Sequence, residues 1–151
     1  MIYSIGYQRL SSPDVLLRIA HACGGTVIDV RSSRNTHKRG FGSVQLVTCL
    51  GCQYEWWGKE LGGRGAGPTA EGIERLAYRN ARHDSSILMC MEEAPGECHR
   101  HHKIAIPLLK RGVDVVHIYR DELVTASALQ AKMDNPDENA QYPYEDSPFA
   151  L

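Results

Sequence analysis

The sequence predicts an α/β protein built on a mainly parallel, five-stranded sheet. Three observations predict it. Short apolar runs alternate with amphipathic segments, glycines mark the joints, and the apolar runs are nearly continuous. A continuous apolar strand is one covered on both faces, and strand–helix alternation at this spacing gives right-handed crossovers and parallel pairing. A chain of 151 residues suits a single core. Residues 1–134 are expected to form one domain. Residues 135–151, polar and rich in proline, are expected to form an irregular, mobile tail.

The first strand is Ile2-Tyr3-Ser4-Ile5, broken by Gly6. Ser11, Ser12, Pro13 and Asp14 open a helix with a hydroxyl cap, an early proline and an acid at the positive end. Gly24 and Gly25 stop it, and Thr26-Val27-Ile28-Asp29-Val30 is the second strand. A polar loop over 31–42 leads to a short helix over 43–50. Tyr54, Trp56 and Trp57 make a third, aromatic strand, with at least one tryptophan in the core. A glycine-rich loop follows, and Thr69 caps a helix running to about residue 82. The fourth strand covers 87–91, a helix covers 98–110, the fifth strand covers 113–118, and a last helix covers 121–133. These elements give three layers with helices on both faces of the sheet, a Rossmann- or flavodoxin-like arrangement. Ligands then bind outside the carboxyl ends of the strands.

The formal net charge of -1 excludes nucleic-acid coating by bulk charge but leaves room for a local basic patch. No secretory leader is visible after Met1, and no apolar run approaches the roughly 20 residues that span a bilayer. A cytoplasmic protein with no membrane partner is expected. The five cysteines, an odd number without a leader, argue against a disulfide framework.

The segment from Cys90 to Arg100 holds the densest chemistry. A strand ends near Cys90 and a helix begins near Cys98. A thiol at a helix start meets free N–H groups and the positive end of the dipole, which favour thiolate. Cys98 is therefore a candidate nucleophile. His99, Glu92 and Cys90 stand beside it as acid, base or second thiol, and Arg100 supplies positive charge. The competing reading is a buried cysteine that only packs. No metal is expected. Cys90, Cys98, His99, His101 and His102 lie close enough in sequence to raise a metal site, but structural zinc calls for two closely spaced ligand pairs, Cys49-Leu50-Gly51-Cys52 is a single one, and His101 and His102 are read as an exposed helical face.

The loop after the second strand is basic, with Arg31, Arg34, Lys38 and Arg39, and suits phosphate or another anion. Asp29, nearly buried in its strand, needs a partner, and Arg31 or Arg100 can supply one. Glu60-Leu61-Gly62-Gly63-Arg64 permits close backbone approach to a ligand. It is not a Walker loop, and Gly6-Tyr7-Gln8 is not the three-glycine dinucleotide fingerprint. No cofactor is expected.

Ser4-Ile5-Gly6-Tyr7, Ile28-Asp29-Val30-Arg31-Ser32, Glu60-Leu61-Gly62-Gly63, Cys90-Met91-Glu92, Cys98-His99-Arg100 and the 112–118 strand occur in an order that resembles the family called domain of unknown function 488. The likeness covers about residues 2 to 118. It implies a compact α/β fold with these motifs around one pocket, and it carries no settled activity. The chain departs from the family's pattern at Tyr7, where histidine is common, and in the run Met89-Cys90-Met91. The Asp29-Val30-Arg31 step also resembles rhodanese domains, but their cysteine loop is not visible. Cys90 and Arg100 are too far apart for the phosphatase Cys-x5-Arg loop.

These readings predict an enzyme, a hydrolase or group transferase using cysteine or carboxylate chemistry. Its substrate would carry phosphate, as a nucleotide or nucleic acid does. Gly6, Tyr7, Asp29, Arg31, Arg34, Glu60, Gly62, Gly63, Arg64 and Arg100 would bind it. The alternatives are a non-catalytic nucleotide- or nucleic-acid-binding module and an inhibitor acting through protein–protein contact. Partners are an anionic small molecule or nucleic acid, and the oligomeric state is open between monomer and homodimer.

Overall fold

A computed structural model describes residues 1–136. All but the first two residues of the expected tail lie outside the described residues.

The protein is α/β, with a six-stranded, mostly parallel sheet. In chain order the elements are β1 (Ile2–Gly6), α1 (Asp14–Cys23), β2 (Gly25–Asp29), α2 (Ser43–Leu50), β3 (Tyr54–Trp56), α3 (Gly58–Leu61), α4 (Ala70–Ala81), β4 (Ser85–Cys90), α5 (Ile106–Leu109), β5 (Val115–Tyr119), β6 (Glu122–Thr125) and α6 (Ala126–Asp134). A wide, i→i+5 turn of helix over Arg100–Ala105 leads into α5. The strand order is β3-β2-β4-β1-β5-β6, and β6 alone runs antiparallel, against β5.

Local chemistry explains most boundaries. Gly24, at φ 58°, closes α1 with its N–H on the Ala20 and His21 carbonyls. Thr69 Oγ1 accepts the Gly72 N–H to cap α4. Adjacent side chains of the inner strands pack in different clusters. Val27, Ile87 and Met89 join Leu16 and Ala20 of α1 and Leu46 and Leu50 of α2. Ile28, Leu88 and Cys90 join Leu61, Ile73, Leu76, Ile104 and Leu108.

The structure corrects the expected five strands to six. Residues 121–133 were expected to be one helix, yet residues 122–125 pair with β5 in a hairpin with a two-residue turn, Arg120-Asp121. Arg120 takes φ 54° there, a conformation usually given to glycine or asparagine, so the turn carries no sequence signature. Thr125 then caps α6 through the Ala128 N–H. The glycine-rich loop also holds the short helix α3, which was not expected. No helix among the described residues is long and apolar enough to cross a membrane.

Candidate functional site

β4 lies between β1 and β2, so the carboxyl ends of three strands stand side by side. Gly6 is level with Cys90, and Asp29 with Met89. The chain leaving β4 folds back over the end of β1. A side chain at Gly6 would run into the Glu92 carbonyl, so glycine there is what lets residues 91–93 cross. Gly63 plays the same part for the loop after α3. A Cβ there would lie 2.7 Å from the His99 ring. A cavity of about 480 Å³ opens at this edge, lined by Tyr7, Arg31, Ser32, Ser33, Asn35, Gly63, Arg64, Cys90, Met91, Glu92 and His99.

One wall of the cavity is a tight reactive cluster. Glu92 Oε2 lies 3.1 Å from Cys90 Sγ and 3.2 Å from Cys98 Sγ. His99 Nδ1 lies 3.8 Å from each sulfur, and His99 Nε2 is 3.1 Å from the Leu61 carbonyl oxygen. The nitrogen facing a carbonyl must carry hydrogen, so in the neutral ring Nδ1 presents its lone pair to the sulfurs. Two thiols in contact share their protons unequally. A hydrogen bond from the Cys90 thiol, helped by His99 and the Arg100 charge, outweighs burial and lowers the pKa of Cys98. The same hydrogen bond, burial and the charges of Cys98 and Glu92 push the Cys90 thiol far above its usual range. Of the two sulfurs, Cys98 is the one whose surroundings favour thiolate and Cys90 the one whose surroundings favour the thiol. Burial opposes the Glu92 charge, but its own backbone N–H, the hydrogen bonds that Cys90 and Cys98 donate as thiols, and His99 hold its pKa below the ordinary value. Burial likewise opposes a charged His99, while Cys98, the Leu61 carbonyl and Glu92 raise its pKa.

Behind this wall lies a buried polar chain. Arg100, fully buried, donates to the carbonyls of Glu92 and Glu93 and, through Nε, to Ser4 Oγ at 3.2 Å. Ser4 Oγ is 2.6 Å from His117 Nδ1, His117 Nε2 is 3.0 Å from His101 Nδ1, and His101 Nε2 is 3.2 Å from Gln130 Oε1. One direction of donation satisfies all of it, from Arg100 through the serine and two neutral imidazoles to the Gln130 carbonyl oxygen. Burial, His101 and the Arg100 charge accordingly lower His117 to about 3. Burial also lowers His101, against the Gln130 contact.

Asp29 takes a different role from a free acid. It is fully buried, and its two oxygens accept Nε and Nη2 of Arg31 at 2.8 and 2.7 Å. Tyr54 donates to the same carboxylate at 2.7 Å. Of the two expected partners, Arg31 holds it and Arg100 does not. Arg31 also donates to the Phe41 carbonyl, so its guanidinium is largely committed to the protein.

The structure thus brings Tyr7, Arg31, Gly63, Arg64, Cys90, Glu92 and His99 to one cavity. Arg64 is exposed, and among the described residues no side-chain partner holds its guanidinium. The remaining expected site residues support the cavity from outside its lining. Gly6 and Arg100 form the β1–β4 crossing, and Gly62 packs against Ser32 and the Gly58 carbonyl. The Glu60 carbonyl accepts the Thr69 N–H, and Arg34 lies over the Trp56 ring at 4.7 Å. Cys98, expected within the first turn of a helix, sits in extended backbone just before it. It is 1% exposed, so Cys90 is the sulfur that meets the cavity. Trp57 is the core tryptophan. Sequence reasoning missed Ser32, Ser33, Asn35 and Met91 in the lining. It also missed the Ser4–His117–His101 chain, although a serine and a histidine within apolar strands were a signal.

Comparison with protein-family models, with curated proteins and with solved structures gives no match.

Proposed function

We propose that the protein is a hydrolase or group transferase acting on a phosphate-bearing substrate, such as a nucleotide or nucleic acid, bound in the cavity at the strand ends. The observation that carries this reading is the convergence of a carboxylate, an imidazole and two coupled thiols on a polar cavity. These are groups that accept, donate or hold protons and charge within hydrogen-bond reach of one another. The exposed Arg64, the Ser32 and Ser33 hydroxyls and Asn35 supply donors suited to an anion. In this reading Glu92 is the acid or base, Cys98 carries negative charge behind Cys90, and Arg64 draws the phosphate in. The motif order supports membership of the domain of unknown function 488 family, and the division of the core into two clusters supports a three-layer, Rossmann-like architecture.

The test is turnover of a panel of nucleotides and of phosphate-ended DNA and RNA oligonucleotides, read by chromatography. Glu92→Gln is expected to lower kcat by about 100-fold or more. Arg64→Ala is expected mainly to raise KM. Binding of these compounds with no turnover, unchanged in Glu92→Gln, would turn the reading into a non-catalytic binding module.

A further inference from the structure

We infer that Cys90 Sγ, Cys98 Sγ and His99 Nδ1 form a site for one zinc ion, with the fourth position open to the cavity beside Glu92. The inference rests on the proposed enzyme reading for what the ion would do, and on geometry alone for its being there.

Three soft or borderline donors lie within 4.8 Å of one another. In a tetrahedral site, Zn–S distances of about 2.3 Å and Zn–N of about 2.0 Å place ligand atoms about 3.5 Å apart. The observed 3.8 Å from His99 Nδ1 to each sulfur needs only a few tenths of an ångström of closure. Two thiolates and an imidazole are also the donor set that favours zinc over hard cations such as magnesium or calcium.

A second observation is independent of those distances. Metal-bound histidines fix their tautomer by donating the far N–H to a carbonyl or carboxylate. His99 Nε2 meets the Leu61 carbonyl, which leaves Nδ1 as the lone-pair nitrogen facing both sulfurs. Gly63 packs against the same ring and leaves it no room for a side chain at that position. The ring is thus held from outside in the orientation a ligand needs.

Glu92 completes the arrangement without joining the ligand triangle. Its Oε2 faces both sulfurs, and both Glu92 and Cys90 line the cavity. A catalytic zinc site keeps three protein ligands and one open position, where a water binds. A carboxylate beside that position is placed to take a proton from the water. The sequence expectation of no metal set aside Cys90, Cys98 and His99 because their spacing lacks the two short ligand pairs of structural zinc. Cys90 and the adjacent Cys98-His99 meet because a loop turns back between β4 and the following helix.

The test uses the full chain, reduced and stripped of metal, titrated with Zn²⁺ and with Co²⁺ as a spectroscopic probe. The expected result is about one ion per chain, with a cobalt spectrum showing tetrahedral d–d bands and near-ultraviolet sulfur charge transfer. Cys90→Ser and His99→Ala, checked for folding by circular dichroism, should each weaken zinc binding by more than about 10-fold, while Cys49→Ser/Cys52→Ser should leave it unchanged. The site is overturned if the wild-type chain gives no sulfur charge-transfer band with Co²⁺, or if the band survives Cys90→Ser and disappears in the Cys49/Cys52 variant. The two readings fail separately. A zinc-loaded protein that turns over no phosphate-bearing substrate supports the site and overturns the hydrolase reading. Turnover by a chain that takes up no zinc does the reverse.

Discussion

The ends of β2 and β4 are neighbours in the sheet, yet they bury their ionisable groups in opposite ways. At the end of β2, Asp29 and Arg31 meet in a two-point ion pair, with Tyr54 and the Phe41 carbonyl taking up further hydrogen-bonding capacity. Charge and donors match there, so burial locks the pair. At the end of β4, two thiols and a carboxylate compete for protons beside one imidazole. Burial raises both thiols, and the hydrogen bond between them makes them unequal, lowering the pKa of Cys98 and raising that of Cys90. Desolvation strengthens a complementary pair, whereas in a crowded cluster the hydrogen bonds between members decide which one holds the proton. The first arrangement is scaffold, and the second can exchange protons with a ligand.

The sharpest way to break this comparison is to remove one member of the locked pair. Asp29→Ala should cost about 3–5 kcal/mol in urea unfolding, because Arg31 would remain buried without its partner. A loss below about 1 kcal/mol would show that the two ends do not differ in kind. The next effect belongs to the polar chain behind the cluster. His117 is neutral in the folded protein down to about pH 3, against an ordinary value of 6.5. Below pH 6.5 the unfolded chain gains a proton that the native state refuses, so stability falls as pH falls through that window. The loss should reach about 2 kcal/mol between pH 6.5 and 5. The groups acting on it are His101, Ser4, Arg100 and, in the opposite sense, Asp114; His117→Gln should flatten the slope in denaturation curves taken across pH, leaving the smaller part that belongs to His101. Tyr54→Phe deletes one donor to a carboxylate that keeps Arg31, and should cost about 1–2 kcal/mol by thermal unfolding. The smallest change in stability is expected at the reactive end. Glu92→Gln keeps the shape of a half-buried side chain and should move stability by less than about 1 kcal/mol, while its effect on turnover is large. A large stability loss in Glu92→Gln would make the cluster a second structural network.

Much of the scaffold was legible along the chain because its causes are local. Periodicity gave the first five strands, and caps such as Thr69 and Gly24 set helix ends within a residue or two. The hairpin of β5 and β6 was not legible, since its turn at Arg120 relies on pairing with β5 rather than on a turn-forming residue. Within the site, the segment 90–100 stood out by composition alone. That Cys98 hides behind Cys90, and that Arg34 lies over Trp56 rather than in the cavity, depend on how loops from different strands pack.

The sequence by itself determined the alternation of elements, the edge of the sheet where unusual residues gather, and the types of group available there. It did so because hydrophobic period, capping and loop position are properties of neighbouring residues. Only the tertiary structure decided which groups share a proton. Asp29 chose Arg31 over Arg100, and Cys90, Glu92, Cys98 and His99 closed into one cluster. Those pairings turn on differences of an ångström between strands and loops far apart in sequence, and electrostatic and hydrogen-bond energies are steep over that distance.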